Sequence, residues 1–332
     1  MRKYKLINNV LGWIVFLIAS TVYLMTMEPT ASFWDCGEFI SSAFKLEVGH
    51  PPGAPFFMLT ANLFTQLASD ASSVAKMVNS MSALFSGLTI LFLFWSITHL
   101  ARKIMVDDES EISLGQMITI MGSGLVGALA YTFSDTFWFS AVEGEVYAYS
   151  SLFTALVFWL ILKWEEAADR PHADRWIVLI AYLMGLSIGV HLLNLLCIPA
   201  IVLVYYYKKF PNPTMKGTIY ALLVSFAIVG LMMYGVVQGL VEVCGYFELL
   251  FVNVLGMPYN SGVFAYVIVL AAVLIWSIWE TMRDEINPVR MKVAFILSIV
   301  LVGVPFIGSG YVLAVILTGA LTAYLFMSKK VN

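Results

Sequence analysis

The sequence predicts an all-α integral membrane protein with about ten transmembrane helices, and three observations support this fold class. Hydrophobic residues make up 61% of the 332 residues and charged residues only 12%, against about 45–50% and about 25% in soluble domains. The mean hydropathy is +0.88. Apolar runs close to the length of about 20 residues that spans a bilayer recur along the chain. So few charges cannot cover a water-facing surface, and we expect most of the surface to face lipid.

Ten apolar stretches are expected to span the membrane, and none shows the alternation of a barrel strand. In chain order, the predicted spans are Val10–Met27, Val74–Leu100, Leu114–Phe133, Tyr147–Leu162, Trp176–Val190, Leu192–Tyr207, Thr218–Gln238, Val263–Trp279, Val293–Ile307 and Tyr311–Met327. The pair on either side of His191 is the least distinct, because no polar loop separates its members. The segment Ala54–Leu67 is apolar but only about 14 residues long, which favours an interfacial helix.

The distribution of basic residues predicts the orientation. If Ala54–Leu67 does not span, 16 of the 18 Lys and Arg residues lie in the cytoplasm, and Lys45 and Lys76 lie outside. Counting the segment as a span would place 14 of them outside. The positive-inside rule favours the first topology, with both termini cytoplasmic. The basic start, Met1–Lys5, then predicts an uncleaved signal anchor.

The whole chain is expected to form a single membrane domain, residues 1–332, with no soluble C-terminal domain. Its outer polar parts are two loops, residues 28–73 and 134–146. A net charge of −3, with no basic patch longer than two adjacent residues, argues against nucleic-acid binding. Ten carboxylates but only two lysines fall outside, so any chemistry is expected on the extracytoplasmic face.

The first outer loop carries the most informative polar residues. Asp35 and Glu38 are three residues apart and would share one face of a helix. They form either a capping box, with Glu38 reaching back, or a catalytic base beside a substrate pocket. An amphipathic interfacial helix is predicted from Cys36 to Leu46. Three prolines and two glycines in residues 49–55 then prevent a helix and hold His50 in a stiff loop, as a binding residue or as an incidental one.

The second outer loop combines three carboxylates with aromatic residues, which either stack on a sugar or form an interfacial belt. Its carboxylates are Asp135, Glu143 and Glu145. Glu143 and Glu145 are two residues apart, so at least one is expected to cap a helix or to face water, unless the loop is extended there. Further along, His191 and Asn194 are expected to share a helix face, either as a functional polar pair or as a structural hydrogen bond between helices.

Two segments together resemble a known family. They are Phe33–Ile40, which reads FWDCGEFI, and Leu46–Pro55, which reads LEVGHPPGAP. They are similar to the first outer loop of a bacterial polytopic membrane family of formerly unknown function. That family is related to the eukaryotic O-mannosyltransferases of plexin-type receptors and belongs to the GT-C glycosyltransferase superfamily. Ala141–Tyr147 and Gly189–Asn194 resemble it more weakly, and the similarity extends over about the first 210 residues.

The resemblance implies a GT-C-like enzyme in the bacterial cytoplasmic membrane. Such an enzyme moves a sugar from a polyprenyl phosphate to a hydroxyl group, usually of a protein Ser or Thr, on the extracytoplasmic side. The first-loop carboxylate, Asp35, becomes the base that takes the hydroxyl proton while the anomeric carbon inverts. It is then expected to border an apolar cavity large enough for a lipid-linked sugar.

The remaining site residues follow from the same interpretation. The candidate substrate-binding residues are Glu38, His50, Asp135, Glu143, Glu145, His191 and Asn194. The candidates for binding the leaving phosphate are Lys45 and Lys76, since that group needs positive charge or hydrogen-bond donors. No cofactor or metal is expected, although the oxygen-rich set would permit a divalent cation.

The expected partners are the lipid-linked donor, membrane lipids, and an acceptor protein or glycan. Relatives of this kind often carry a soluble domain after the membrane part, whereas this sequence ends at Asn332. The chain is therefore a short member, a fragment, or a protein whose acceptor is recognised by a separate soluble partner. Two other functions stay open: a secondary transporter, with polar residues at the membrane midplane, and a non-catalytic subunit that binds a lipid-linked glycan.

Overall fold

The computed structural model of the chain describes residues 2–106, 111–283, 285, 287–307 and 311–327. Every regular element in these ranges is helical, which confirms the all-α prediction. The chain divides into two compact units, Met1–Leu222 and Leu223–Asn332. A single membrane domain stays a prediction, as does the orientation of the spans. Lys329 and Lys330, which count toward the predicted cytoplasmic charge, lie outside the described residues.

The first unit contains most of the helices that carry predicted site residues. Its α-helices are α1 (Arg2–Thr26), α2 (Cys36–Lys45), α3 (Pro55–Thr65), α4 (Val74–Met105), α5 (Leu114–Thr132), α6 (Asp135–Ala141), α7 (Val146–Ala167), α8 (Arg175–Ile188) and α9 (Ile198–Lys209). Two turns of 3₁₀-helix, Ala71–Ser73 and Leu192–Cys197, lead directly into α4 and α9. The next helix, α10 (Met215–Gly230), begins in this unit and ends in the second.

The second unit continues as helices. They are α11 (Gln238–Leu249), α12 (Ser261–Met282), α13 (Pro288–Leu301) and α14 (Tyr311–Met327), with π-helical segments at Leu231–Val237 and Leu250–Val254. The helix that contains the predicted span Thr218–Gln238 does not end at Gln238, because the helical segment runs from Met215 to Val254. Polar side chains do not end the helix there: Glu242 accepts a hydrogen bond from Tyr246, one turn further along.

Seven helical segments in the described ranges are long and apolar enough to cross a membrane, which supports an integral membrane protein. They are Arg2–Thr26, Ala71–Met105, Leu114–Thr132, Val146–Ala167, Leu192–Lys209, Met215–Val254 and Ser261–Met282. The other three predicted spans correspond to shorter helices, α8 and α13 with 14 residues each and α14 with 17. A 14-residue helix is about 21 Å long, less than a hydrocarbon core of about 30 Å. The number ten therefore stays a prediction.

The central helix of the first unit is α4, which packs against α1, α5 and α7. Two clusters of buried apolar residues surround it. One includes Phe57 of α3 and Tyr149 of α7, and the other includes Tyr23 of α1 and Phe94 of α4 itself. Because α4 belongs to both clusters, each of its ends is held in place relative to α1 and α7.

The two short helices of the first outer loop agree with the sequence prediction. The predicted helices Cys36–Leu46 and Ala54–Leu67 appear as α2 and α3. Helix α2 packs against α3 and buries Phe39, Ile40 and Ala43. The amphipathic pattern therefore predicted α2 and the short apolar run predicted α3, while their position at a membrane interface stays a prediction.

Candidate functional site

The loop before α2 is held in place by a side chain of α4. The Asn79 amide, which is buried, donates hydrogen bonds to the backbone carbonyls of Glu28 at 2.6 Å and Thr30 at 3.0 Å. The Glu28 N–H in turn donates to the Val142 carbonyl at 3.0 Å. These bonds tie together the chain segments that precede α2 and α7, and so position Asp35 at the start of α2.

A second set of backbone bonds joins the loop before α3 to the end of α8. The Gly189 carbonyl accepts the N–H of Phe56 at 2.7 Å and that of Phe57 at 3.2 Å. A Cβ on Gly189 would lie 2.9 Å from the Phe56 Cβ, so the approach needs glycine. This contact places His191 beside the loop that carries His50.

Asp35, Glu38 and His50 form one group. The Glu38 Oε1 accepts the His50 N–H at 2.6 Å, and its Oε2 lies 3.1 Å from the His50 Nδ1. The His50 Nε2 lies 4.0 Å from the Asp35 Oδ2. Because the His50 N–H and imidazole bond the ionised carboxylate, the pKa of Glu38 lies below its usual value.

The capping-box interpretation of Asp35 and Glu38 is wrong. Asp35 is the N-cap residue of α2, yet its side chain makes no cap hydrogen bond within the described helix. Its side chain is 59% exposed and faces His50, while both Glu38 oxygens contact His50. Glu38 therefore bonds His50, which lies 12 residues further along the chain, and does not bond the start of its own helix.

Glu143 and Glu145 form a second, buried group with Cys36. Glu143 is 3% exposed and Glu145 7%, and the Cys36 thiol donates to the Glu145 Oε1 at 3.7 Å. Desolvation raises the pKa of both carboxyl groups. Burial also raises the pKa of the Cys36 thiol, and the neighbouring Glu143 adds to this effect.

Glu143 and Glu145 therefore neither cap a helix nor face water, which matches the exception that the sequence prediction left open for an extended loop. Glu145 precedes α7 with extended backbone, at φ −125° and ψ 169°, and its side chain makes no cap hydrogen bond within the described part of α7. In extended backbone, residues two apart point to the same side. Both carboxyl groups consequently turn inward toward Cys36 rather than to opposite faces.

Between these groups lies a cavity of about 110 Å³. Its walls include Asp35, His50, Glu145 and His191, together with the aromatic ring of Tyr147. The structure thus brings four predicted site residues, from three separate loops, to one hollow. The cavity is smaller than the 300–1,000 Å³ typical of ligand pockets. A volume of about 110 Å³ does not hold the whole lipid-linked sugar that the sequence interpretation places beside Asp35.

His191 and Asn194 do not share a helix face, contrary to the prediction. His191 has extended backbone, and its Nδ1 accepts the N–H of Leu193 at 3.1 Å. Burial lowers the pKa of His191, which favours a neutral ring whose proton is on Nε2. Asn194 is buried and donates to the Ser187 hydroxyl of α8 at 2.9 Å. The geometry matches the structural interpretation of Asn194.

Three other predicted residues lie apart from the cavity. Asp135 is exposed in the first turn of α6, Lys45 is exposed in the last turn of α2, and Lys76 is exposed near the start of α4. None is among the described residues that line the cavity. Their roles in binding substrate or phosphate stay predictions.

Sequence reasoning placed Cys36 and Tyr147 in the two outer loops but did not name either as a candidate site residue. The Tyr147 ring lies 5.5 Å from the His191 ring, and both border the cavity. One local signal was available for Cys36. It is the first residue of the amphipathic helix α2, on the same buried face as Phe39 and Ile40. Nothing in the sequence pairs Tyr147 with His191.

Two groups of side chains have the spacing of a metal site. They are Asp35 with Glu38 and His50, and Cys36 with Glu143 and Glu145, each set with ligand atoms within 4.8 Å of one another. A cation in the first set would have to displace the bonds between Glu38 and His50. A cation in the second would have to displace protons that burial holds, since metal ligands bind deprotonated.

The fold and the site define a helical membrane protein with a cluster of carboxylates and histidines at one end of its first unit. Residues 35–214 match the family described as "Protein O-mannosyl-transferase TMEM260 N-terminal domain", and the chain belongs to this family. The matched region begins at Asp35 and includes all the predicted site residues. No solved structure matches the chain.

Two relatives carry the name Protein O-mannosyl-transferase TMEM260. The protein of Mus musculus is 28% identical over 174 residues, which are 52% of this chain and 22% of the mouse protein. The protein of Dictyostelium discoideum is 26% identical over 187 residues, 54% of this chain and 21% of that protein. The chain thus covers about a fifth of the length of these relatives.

Proposed function

We propose that this chain is a GT-C-type glycosyltransferase that moves a mannose-like sugar from a polyprenyl phosphate to a Ser or Thr hydroxyl of a protein. The reaction takes place on the extracytoplasmic side and inverts the anomeric carbon. Membership of the family and the names of the two relatives support this class of reaction. The observation that carries the proposal is the Asp35 carboxylate, which is accessible at the wall of the cavity.

Asp35 is the catalytic base. The acceptor oxygen attacks the anomeric carbon, its proton passes to the Asp35 carboxylate, and the bond from the anomeric carbon to the phosphate oxygen breaks. Polyprenyl phosphate leaves with that electron pair. The base must be accessible and able to accept a proton. Asp35 is exposed, whereas burial favours the protonated forms of Glu143 and Glu145.

His50 is a positioning residue for Asp35. With its Nδ1 held by Glu38, its Nε2 faces the Asp35 carboxylate. His191 supplies an Nε2–H donor at the cavity wall, since its Nδ1 already accepts a bond from Leu193. We assign this donor to the leaving phosphate, with Lys45 and Lys76 as outer contacts along its path.

The size of the cavity limits what it holds. A volume of about 110 Å³ suits the reacting end of the donor, not the whole lipid-linked sugar. The prenyl chain would extend from the cavity into the hydrocarbon core of the membrane, so a lipid-linked donor suits this site. A nucleotide sugar is cytoplasmic and would not reach an extracytoplasmic site.

Asp35→Asn tests the proposal. With mannosyl-phosphoryl-polyprenol of short chain length and a peptide containing Ser and Thr, we expect transfer to fall by roughly 100- to 10,000-fold, the usual contribution of a general base. Donor binding and thermal stability should remain. Glu47→Gln is the matched control: it removes a charge from the same loop, at an exposed position away from the cavity lining, and should leave transfer unchanged.

Three outcomes would change the assignment. Full transfer by Asp35→Asn excludes Asp35 as the base. Donor binding without turnover in the unmodified chain would favour the non-catalytic lipid-glycan-binding subunit. We expect transfer to persist in EDTA because Glu38 and His50 already bond each other; loss of transfer, restored by Mn²⁺, would instead place a cation on Asp35, Glu38 and His50.

A further inference from the structure

A second and larger cavity lies at the other end of α4 and α7. Its volume is about 760 Å³, and it is enclosed by the start of α1 and the ends of α4, α7 and α9. His99 on its wall is about 30 Å along α4 from Asn79, which holds the candidate active site. That distance matches the hydrocarbon core of a bilayer. With α4 spanning the bilayer as predicted, the two cavities belong to opposite membrane surfaces.

The described residues that line this cavity are strongly basic. Six are Lys or Arg and two, Glu165 and Glu166, are acidic. The basic residues are Lys5, Arg102, Lys103, Lys163, Arg170 and Lys208. The excess of positive charge favours an anionic ligand.

Two of these cations have no ion-pair partner among the described residues. Lys103 pairs with Glu165, Arg102 and Lys163 pair with Glu166, and Lys208 pairs with Asp169 outside the lining. Within the described ranges, by contrast, Lys5 and Arg170 have no carboxylate at ion-pair distance. Among the described residues, their charges are therefore not paired where they border the cavity.

Buried polar atoms on the wall point independently to a ligand. His99 is 8% exposed, and its Nε2 has no hydrogen-bond partner among the described residues; the Asn8 Oδ1 is likewise buried and unpaired among them. Both residues line the cavity. Buried polar groups are nearly always paired, so unpaired groups around one hollow indicate a missing partner.

The lining also specifies the chemistry of the partner. The basic side chains favour an anion, and a phosphate offers several acceptor oxygens. The Asn8 carbonyl oxygen requires a donor, which a phosphate diester lacks and a hydroxyl group supplies. A phosphate ester that carries hydroxyl groups satisfies both demands.

We propose that this cavity binds an anionic phosphate ester bearing hydroxyl groups, as the head group of a phospholipid in the leaflet opposite the candidate active site. The volume lies within the range of ligand pockets and far exceeds what a lone phosphate needs. The position fits as well, because basic pockets between helix ends at the predicted cytoplasmic surface bind anionic head groups. This site is independent of the proposed transfer reaction.

The test uses the full chain in uncharged detergent and measures binding by calorimetry and by thermal shift. The three probes are dioctanoyl phosphatidylglycerol, dioctanoyl phosphatidylcholine and glycerol 1-phosphate. We expect the phosphatidylglycerol to bind and the phosphatidylcholine not to bind. The double variant Lys5→Gln/Arg170→Gln should weaken binding about 30-fold, since each basic residue near a membrane surface raises the affinity about fivefold.

The control is Lys3→Gln/Arg175→Gln, which removes the same charge from exposed positions outside the described lining and should bind as the unmodified chain does. Equal binding of the two lipids, or unchanged binding by Lys5→Gln/Arg170→Gln, would overturn the proposal. Equal affinity for glycerol 1-phosphate would support the phosphate chemistry but overturn the lipid as its source.

A second variant tests the hydroxyl contact and keeps its result distinct from loss of folding. Asn8→Leu removes an unpaired buried oxygen, so the ligand-free chain should be at least as stable as before. Phosphatidylglycerol should nevertheless bind several-fold more weakly. Undiminished binding by Asn8→Leu would show that the hydroxyl group makes no contact there.

Discussion

The two ends of the first unit are built in different ways, although α4 and α7 run to both. At the candidate active site, loops are held by bonds between side chains and backbone, such as those from Asn79 and to Glu38. At the basic cavity, the helix ends themselves form the wall, and long side chains pair across it, as Lys103 does with Glu165. One end is acidic and depends on specific bonds, while the other is basic and depends on charge.

This difference predicts unequal sensitivity to substitution. A buried bond from an amide to a carbonyl has one geometry, and removing the donor leaves an unsatisfied acceptor. A surface ion pair is screened by water and can change partners, so its loss changes stability little. We therefore expect the candidate active site to be fragile and the basic cavity to tolerate single changes.

The largest effect is expected for Asn79→Ala. Losing the part-buried bonds to Glu28 and Thr30 should lower the free energy of unfolding by about 0.5–1.5 kcal/mol for each bond. Because the same bonds position the loop that carries Asp35, transfer should fall as well. Denaturation by heat and the transfer assay together measure both effects.

Asn9→Ala is the matched substitution at the basic end. Asn9 is exposed and lines the other cavity, so the change should stay within about 0.5 kcal/mol. Equal destabilisation by the two variants would remove the contrast between the two ends.

An intermediate effect is expected from pH at the buried carboxyl group of Glu143. Its folded pKa is raised above the usual value of 4.5 by burial. The folded state therefore favours the protonated form, and this contribution to stability is lost as pH rises from about 4.5 through the folded pKa. Glu143→Gln is not ionised at any pH, so its stability relative to the unmodified chain should increase over that window. Thermal denaturation from pH 4 to pH 8 measures this difference.

Glu38→Gln should show the opposite sign and serves as the control. The pKa of Glu38 is lowered by bonds from His50, so its contribution is present above the usual value of 4.5 and is lost as pH falls through the folded pKa. The variant should thus be less stable near neutral pH and match the unmodified chain in acid. If the stability of both variants, relative to the unmodified chain, changed with pH in the same direction, the opposite pKa shifts of Glu143 and Glu38 would be contradicted.

The smallest effect is expected for Lys103→Gln at the basic end. The pair with Glu165 is partly exposed, and pairs of this kind contribute about 0–1 kcal/mol. Chemical denaturation measures the change, with Lys3→Gln at an exposed position of α1 as the control. A loss as large as that caused by Asn79→Ala would show that ion pairs hold this end as firmly as buried hydrogen bonds hold the other.

Local patterns predicted the elements around the site but not the partners of their side chains. The amphipathic period identified α2 and the apolar run identified α3, each close to its observed ends. The capping rule failed for Asp35 and Glu38, because it considers only neighbours along the helix. His50, which lies beyond the helix end, contacts both carboxylates instead.

The sequence by itself determined the membrane class, most of the helices and the loops in which the polar residues of the site lie. Hydropathy and helical period are properties of neighbouring residues, so both can be identified from the sequence without knowledge of the fold. Only the tertiary structure decided that Asp35, His50, Glu145 and His191 border one cavity while Lys45 and Lys76 do not. It alone also revealed the basic cavity, because that surface is assembled from four helices whose ends are far apart in the chain. The physical reason is that packing around α4 brings distant segments together, and no local pattern records that packing.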